Sequence, residues 1–258
     1  AKAVVLAAGH SSRGLMEALH EEDVKLTYQS FAAGFRIEHP QGMLDTIQYG
    51  EKYAGYVDGG KGPLPVADYR VANTVPDGVA AGRACYSFCM CPGGQIVPTS
   101  TVEDELCING MSFSKRSSKW ANSGLVSTIT ERDAKPFADE GYEPLCGVSF
   151  QRHIEREAAI MGGGKLVVPV QTAEDFLSET VSNASTLPSS SYRLGVVPGP
   201  LHELYPREVT KAIQESLARF DKQLPGFAGS QALIHAPEAR ASSPVRIDRD
   251  KETLESVS

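Results

Sequence analysis

Two apolar periods follow one another along this chain, and their order limits the folds open to it. From Ala84 to Ile129 the sequence is rich in strand formers, broken by Pro92-Gly93-Gly94 and by Asn109-Gly110, a pairing that favours tight hairpin turns. Beyond it the period becomes helical. Phe150, Ile154, Ala158 and Met161 fall on one face, and Gly162-Gly163-Gly164 stops that helix. Thr172 caps a second helix carrying Phe176, Leu177, Val181 and Ala184. The third has Pro206 near its start, Val209, Ile213, Leu217, Phe220 and Leu224 on one stripe, and Pro225-Gly226 as its stop. Gln231 to Ile247 reads as strands returning to the sheet. The order is therefore a β-rich stretch, then helices, then strands again.

The first third is read in the same way. Val4-Val5-Leu6-Ala7-Ala8-Gly9-His10 is an apolar run ending in small residues, as in a buried parallel strand that feeds a loop. Ser12 to Glu22 carries Leu15, Met16 and Leu19 at helical spacing, and Ala32 to His39 alternates as a strand that Pro40 ends. Gly59-Gly60-Lys61-Gly62-Pro63 lacks the spacing of a phosphate loop and reads as a mobile connection.

With 258 residues, 41% hydrophobic and 22% charged, the chain can bury a sizeable core. A formal net charge of −7 argues against nonspecific nucleic-acid or anionic-membrane partners, which need a basic face. No run approaches the length of a membrane span. Five cysteines without a disulfide-rich spacing favour a reducing compartment. The chain opens at Ala1 directly into the apolar run and stops at Ser258 without a terminal element, so it is expected to be a piece of something longer.

Three of those cysteines lie in Cys85-Tyr86-Ser87-Phe88-Cys89-Met90-Cys91, against Pro92-Gly93-Gly94. In a regular strand Cys85, Ser87, Cys89 and Cys91 line one face and Tyr86, Phe88 and Met90 the other. Such a row serves as core filling, because buried thiols behave as small hydrophobes, or as a redox or substrate contact. Metal binding is the least supported reading, since no second ligand pair of familiar spacing accompanies it. Sulfurs at i and i+2 of a strand diverge from disulfide geometry, so Cys89 and Cys91 are not expected to bridge.

Polar candidates gather in four places: His10 with Arg13, Arg36-x-Glu38-His39, Lys115-Arg116-Ser117-Ser118, and Arg240-x-Ser242-Ser243-Pro244-x-Arg246. Each can hold an anion through charge-assisted hydrogen bonds, or can be a solvated charge or ordinary ion pair, as Arg36 with Glu38 on one strand face. No Gly-x-Ser-x-Gly elbow is present, and no Gly-x-Gly-x-x-Gly opens a βαβ unit.

Taken together, Arg36-Ile37-Glu38-His39-Pro40-Gln41, Leu64-Pro65-x-Ala67-Asp68-Tyr69, the Cys85 to Gly94 stretch, Asn109-Gly110-Met111-Ser112, Lys115-Arg116, Ala121-Asn122-Ser123 and Ser242-Ser243-Pro244-Val245-Arg246-Ile247 resemble a family of FAD-dependent dehydrogenases of bacteria and of plant and algal plastids. The resemblance spans nearly the whole chain. Ser112 to Asn122 and Ala158 to Gly164 look closest to the plastid branch, which implies a chloroplast stroma.

In that family a nucleotide-binding segment precedes the equivalent of Val4 to Gly9, and a second FAD-contacting segment follows the equivalent of Ser258. The resemblance therefore implies residues 1–30 as a remnant of the α/β FAD-binding domain, 31–250 as an α+β insertion domain on the substrate side, and 251–258 as the return. It implies flavin-mediated hydride or electron transfer on an unknown small-molecule substrate, with FAD held in the full-length protein and no turnover by this portion alone. Cys89, Cys91 and His39 would then be catalytic, and Gly9, His10, Arg13, Arg36, Ser242, Ser243 and Arg246 would bind cofactor, with no metal. One departure stands out: where members read Gly-Val-Glu-Thr-Arg-Thr-Ser-Ser-Pro, this chain has Ala236-Pro237-Glu238-Ala239-Arg240-Ala241-Ser242-Ser243-Pro244, without two hydroxyls and a glycine. Two rivals stay open. One is a flavoprotein-derived scaffold without redox turnover, and the other is thiol-based sensing in which Cys107 or Cys146 partners the cysteine strand.

Overall fold

The computed structural model describes residues 4–256. Its strands are β1 (Leu26–Tyr28), β2 (Phe31–Pro40), β3 (Ala72–Thr74), β4 (Ala84–Cys91), β5 (Gly94–Pro98), β6 (Ile108–Ser112), β7 (Trp120–Ile129), β8 (Val168–Thr172), β9 (Val196–Pro198), β10 (Leu233–Glu238) and β11 (Val245–Ile247). Its helices are α1 (Arg13–Glu21), α2 (Gln41–Tyr49), α3 (Glu51–Ala54), α4 (Glu131–Ala134), α5 (Cys146–Gly162), α6 (Ala173–Leu177) and α7 (Arg207–Gln223). The fold is α+β. A seven-stranded sheet runs β3-β4-β7-β2-β10-β8-β9, while β1-β11 and β5-β6 form separate two-stranded sheets. The β8-β9 pair is parallel and β10 is antiparallel to both β2 and β8, so the large sheet is mixed.

The backbone divides into two compact units, 4–32 with 129–153 and 240–256, and 33–128 with 154–239. In the first, Leu26, Leu145, Val148 and Val245 form a small core against Met16 and Ile247, and Phe31, Phe137 and Phe150 meet edge to face. In the second, α7 supplies Val209, Ile213, Leu217 and Phe220, all buried at 3.6-residue spacing. Phe35 of β2 meets Phe176 at 5.2 Å and Tyr205 at 5.1 Å. Each such side chain contributes about 2 kcal/mol by leaving water. Strand residues alternate, so Phe35 and Ile37 leave Gly34, Arg36 and Glu38 to face the other way.

Three expectations are corrected, and the glycine-rich connection gains a geometry. Val4 to Gly9 is not a buried strand: Val4 and Val5 are 87% and 89% exposed, and among the described residues no strand pairs with the run. An apolar segment becomes a strand only where neighbours take its backbone groups. The helix capped by Thr172 ends at Leu177, because Glu179 adopts φ +55° and Val181 is exposed. The glycine-rich segment at 59–63 is a hydrogen-bonded turn, with the N–H groups of Gly60 and Gly62 donating to the Val57 carbonyl at 2.9 and 3.0 Å. Asn109-Gly110 is no hairpin turn. It lies inside β6, with Gly110 opposite Ile96 and Asn109 opposite Val97.

Candidate functional site

The sheet face bearing Gly34, Arg36 and Glu38 is shaped by two register shifts. On β4, Phe88 pairs with Gly124 but Cys91 pairs with Asn122, so three steps on β4 match two on β7. That extra residue is a β-bulge. Cys89 sits in it at φ +43°, a left-handed conformation rare for a residue with a Cβ. The single-face row of thiols is therefore broken: Cys89 is exposed while Cys85 and Cys91 are buried. On β10, His235 pairs with Arg36 but Glu238 pairs with Gly34, again three steps against two. This second shift turns Glu238 onto the face of Arg36.

Arg36 is wholly buried, and each of its five N–H groups has an acceptor. Nε donates to Asn122 Oδ1 at 2.6 Å, and Nη1 to Asn109 Oδ1 at 3.1 Å and Glu238 Oε2 at 2.7 Å. Nη2 donates to the Cys89 carbonyl at 2.7 Å and to Cys91 Sγ at 3.4 Å. The ion pair with Glu238 has side-chain exposures of 0% and 2%. A Cβ on Gly110 would strike the guanidinium and Asn122 Oδ1, so glycine here makes room for the arginine rather than for a turn.

Beside this hub, Glu38 takes a different set of partners from the expected Arg36 pair. Its carboxylate accepts the Ser191 N–H at 3.0 Å and the Ser191 hydroxyl. His235 Nε2 lies 3.8 Å from Glu38 Oε1 and 2.7 Å from Ser190 Oγ, and His235 Nδ1 faces the Leu233 carbonyl at 3.1 Å. Burial raises the Glu38 carboxyl to about 7 against the opposing Ser191 hydrogen bonds, and burial lowers His235 to about 4. At neutral pH His235 is uncharged, with Nδ1–H donating and Nε2 accepting.

His39 points elsewhere. Its ring is fully buried against Phe227 at 4.5 Å and Tyr69 at 6.1 Å, Nε2 bonds the Phe227 carbonyl at 2.8 Å, and burial holds it near 4. Cys85 is pushed up to about 12 by burial, an inert thiol. Cys89 is also raised by partial burial, with Arg36 pulling the other way. Among the described residues all five cysteines are free, and no group of three or more His, Cys, Asp or Glu is arranged to hold a metal.

The remaining residues singled out in the sequence belong to the first unit. Gly9 has φ +78°. Burial, then the charges of Arg240 and Arg13, lower His10, so three basic groups share one neighbourhood. Arg13 is buried and donates from Nη2 to Gln151 Oε1 at 3.2 Å. Ser242 Oγ accepts the Ala32 N–H at 3.3 Å, and Ser243 Oγ donates to the Val245 carbonyl at 2.6 Å. Arg246 is exposed and reaches Asp248 at 3.4 Å. The structure thus brings Arg36, Cys89 and Cys91 together, places His39 in an aromatic cluster, and groups His10 and Arg13 with Arg240. Sequence reasoning missed Glu238, Asn109, Asn122, Ser190, Ser191 and His235 as site residues. Asn122, the Asn109-Gly110 pair and Glu238 stood in quoted stretches without a site role, because the two bulges that gather the site leave no local pattern.

No described helix is long and apolar enough to cross a membrane. Residues 30–241 match the family described as FAD-dependent protein, C-terminal domain-like. An uncharacterized protein of Clostridium beijerinckii (strain ATCC 51743 / NCIMB 8052) is 40% identical over 256 residues, which is 99% of this chain and 45% of that protein. The chain thus spans less than half the length of this relative. On the match over most of its length, this chain belongs to the FAD-dependent protein C-terminal domain family.

Proposed function

We propose that this chain is the substrate-side portion of an FAD-dependent oxidoreductase, in which 31–250 forms the insertion domain and 1–30 and 251–258 adjoin the flavin-binding part. The observation that carries the reading is the family match over residues 30–241. Bound FAD supplies the hydride or electron acceptor. The chain's own residues supply position and electrostatics. His10, Arg13 and Arg240 lie within one electrostatic neighbourhood, and such a set fits an anionic diphosphate, for which charge-assisted bonds are the strong ones. The Ser243 hydroxyl braces its own loop, and the Ser242 hydroxyl ties that loop to β2 at Ala32, which steadies the backbone that carries Arg240. Arg36 contacts no ligand in this reading. It fixes Cys89 at the surface and Cys91 beneath it, so that the Cys89 thiol meets the substrate. The plastid location follows from the resemblance to the plastid branch.

One observation favours the rival reading of a scaffold without turnover: Arg36 is saturated by internal acceptors, as in a purely architectural hub. Visible absorption separates the two. A polypeptide of the relative's length containing this chain should bind FAD and bleach when a reductant is added, and Cys89→Ser should alter substrate-dependent reoxidation. A full-length protein that takes up no flavin would remove the oxidoreductase reading.

A further inference from the structure

Of the four polar groupings in the sequence, Lys115-Arg116-Ser117-Ser118 is the one that the flavin reading leaves without a role. It belongs to the loop between β6 and β7, in the second unit. Lys115 and Arg116 are exposed, and neither head group has an ion-pair or hydrogen-bond partner among the described residues. No Asp or Glu stands between Leu106 and Thr130. On a chain of net charge −7, two adjacent cations without a counter-charge make a local field of the opposite sign.

Contacts with two glycines hold this loop in place. Arg116 has φ +46°, a left-handed conformation rare for a residue with a Cβ. Its carbonyl stands where a Cβ on Gly93 would be, and the Lys115 carbonyl crowds the same position on Gly60. The Arg116 N–H donates to the Phe113 carbonyl at 2.8 Å, and the Ser118 N–H donates to the Gly93 carbonyl at 3.3 Å. Two bare glycines thus let the loop backbone seat against them, and the cations rise from a fixed base. In the packed segments 57–62 and 91–94 the acidic residue is Asp58, and Lys61 offsets it.

The base lies beside the cysteine strand. Gly93 follows Cys89 by four residues, so the exposed thiol is within about 14 Å of the backbone on which Arg116 packs. A charge acts over about 10 Å at 0.1 M salt and about 30 Å at 0.01 M. Arg36 offers an incoming anion nothing, because its donors are committed to internal acceptors. We propose that Lys115 and Arg116 bind the anionic group, carboxylate or phosphate, of the small molecule that meets Cys89. Ammonium and guanidinium hold such oxygens by charge-assisted hydrogen bonds. The proposal deepens the oxidoreductase reading and rests on its placing of the substrate at Cys89.

The test compares iodoacetate with iodoacetamide on the flavin-free chain. Each alkylates the Cys89 thiolate: a sulfur–carbon bond forms, iodide leaves, and the thiol proton passes to solvent. Only iodoacetate carries a negative charge, so the ratio of the two rates cancels the reactivity of the thiol itself. At about 10 mM salt, Lys115→Gln combined with Arg116→Asn should lower that ratio by about threefold or more. Asparagine accepts the left-handed backbone and both positions are exposed, so an unchanged iodoacetamide rate at Cys89 is expected. Inorganic phosphate or acetate should slow iodoacetate more than sodium chloride of equal ionic strength does, and the stronger competitor names the anionic group. Equal ratios in wild type and variant, or competitors no better than chloride, overturn the assignment. A full-length protein without flavin would remove the oxidoreductase reading and leave these ratios standing, so the two failures are distinguishable.

Discussion

Arg36 Nη2 donates to the carbonyl of Cys89 at 2.7 Å, so a wholly buried cation sets the backbone of an exposed thiol. The same guanidinium reaches Cys91 Sγ, Asn109, Asn122 and Glu238, and thereby ties β4, β6, β7 and β10 to β2. Removing one partner of a buried ion pair leaves the other charged and desolvated, which costs about 3 to 5 kcal/mol. Arg36→Met should destabilise the chain by that amount in urea, and Arg36→Lys by nearly as much because an ammonium cannot reproduce the planar fork. A loss under about 1 kcal/mol would show that the hub is not what holds these strands together.

Gly110 makes a sharper test of the same geometry. Its missing Cβ is the space in which the Arg36 guanidinium and Asn122 lie, so Gly110→Ala should cost about 1 to 3 kcal/mol through overpacking. Gly42, in α2, has nothing near its Cβ position and no positive φ, and Gly42→Ala should gain up to about 1 kcal/mol from helix propensity. Opposite signs in paired urea melts are expected. Equal effects would mean that the crowding at Gly110 relaxes freely.

The helical stripe of α7 was legible because its spacing is local and its boundaries are marked by Pro206 and Pro225-Gly226. So was the end of β4 at Pro92-Gly93. The site was less so. Asn109-Gly110 carries the signature of a turn, yet its role is set by an arginine more than seventy positions away, as the 73-residue separation of Asn109 from Arg36 records. The inversion of Cys89 relative to Cys91 depends on a bulge measured against β7, and Glu238 reaches Arg36 only through a shift measured against β2. Pairing partners decide such features, and a single strand's residues do not name its partners. Val4 to Gly9 erred in the other direction: its apolar composition suits a strand, but pairing is a property of neighbours.

The thiols offer a direct check on the bulge. Cys89 is exposed and the other four are buried, so native protein should take up one equivalent of iodoacetamide, at Cys89, and five after unfolding. Partial burial raises the Cys89 thiol, so the reaction should be slow at pH 7 and accelerate beyond the ordinary thiol range. Cys89→Ser should abolish native labelling. Peptide mapping that finds Cys91 modified at a comparable rate would place the inward thiol at the surface and remove the bulge geometry.

Stability should carry an unusual pH signature in which buried acids and buried histidines pull against each other. Burial raises Glu38 from 4.5 to about 7, so the folded state binds more protons there than the unfolded chain does. Its stabilising contribution is fully present below about pH 4.5 and is lost as pH rises through 7. His39 and His235, lowered from 6.5 to about 4 by burial, act in reverse and add stability as pH rises from 4 to 6.5. In wild type the buried Glu238, also raised, falls with Glu38 against the rising histidines. Glu38→Gln removes the Glu38 arm, while Glu238 and the histidines are present in both proteins and cancel. Each tenfold in proton affinity is worth about 1.4 kcal/mol, so a Glu38 carboxyl held at about 7 makes the stability of wild type relative to Glu38→Gln decline by about 3 kcal/mol between pH 4.5 and 7.5. Guanidinium melts across the range measure it. Parallel curves would show that Glu38 titrates as an ordinary exposed carboxyl, which its burial beneath Ser191 does not allow.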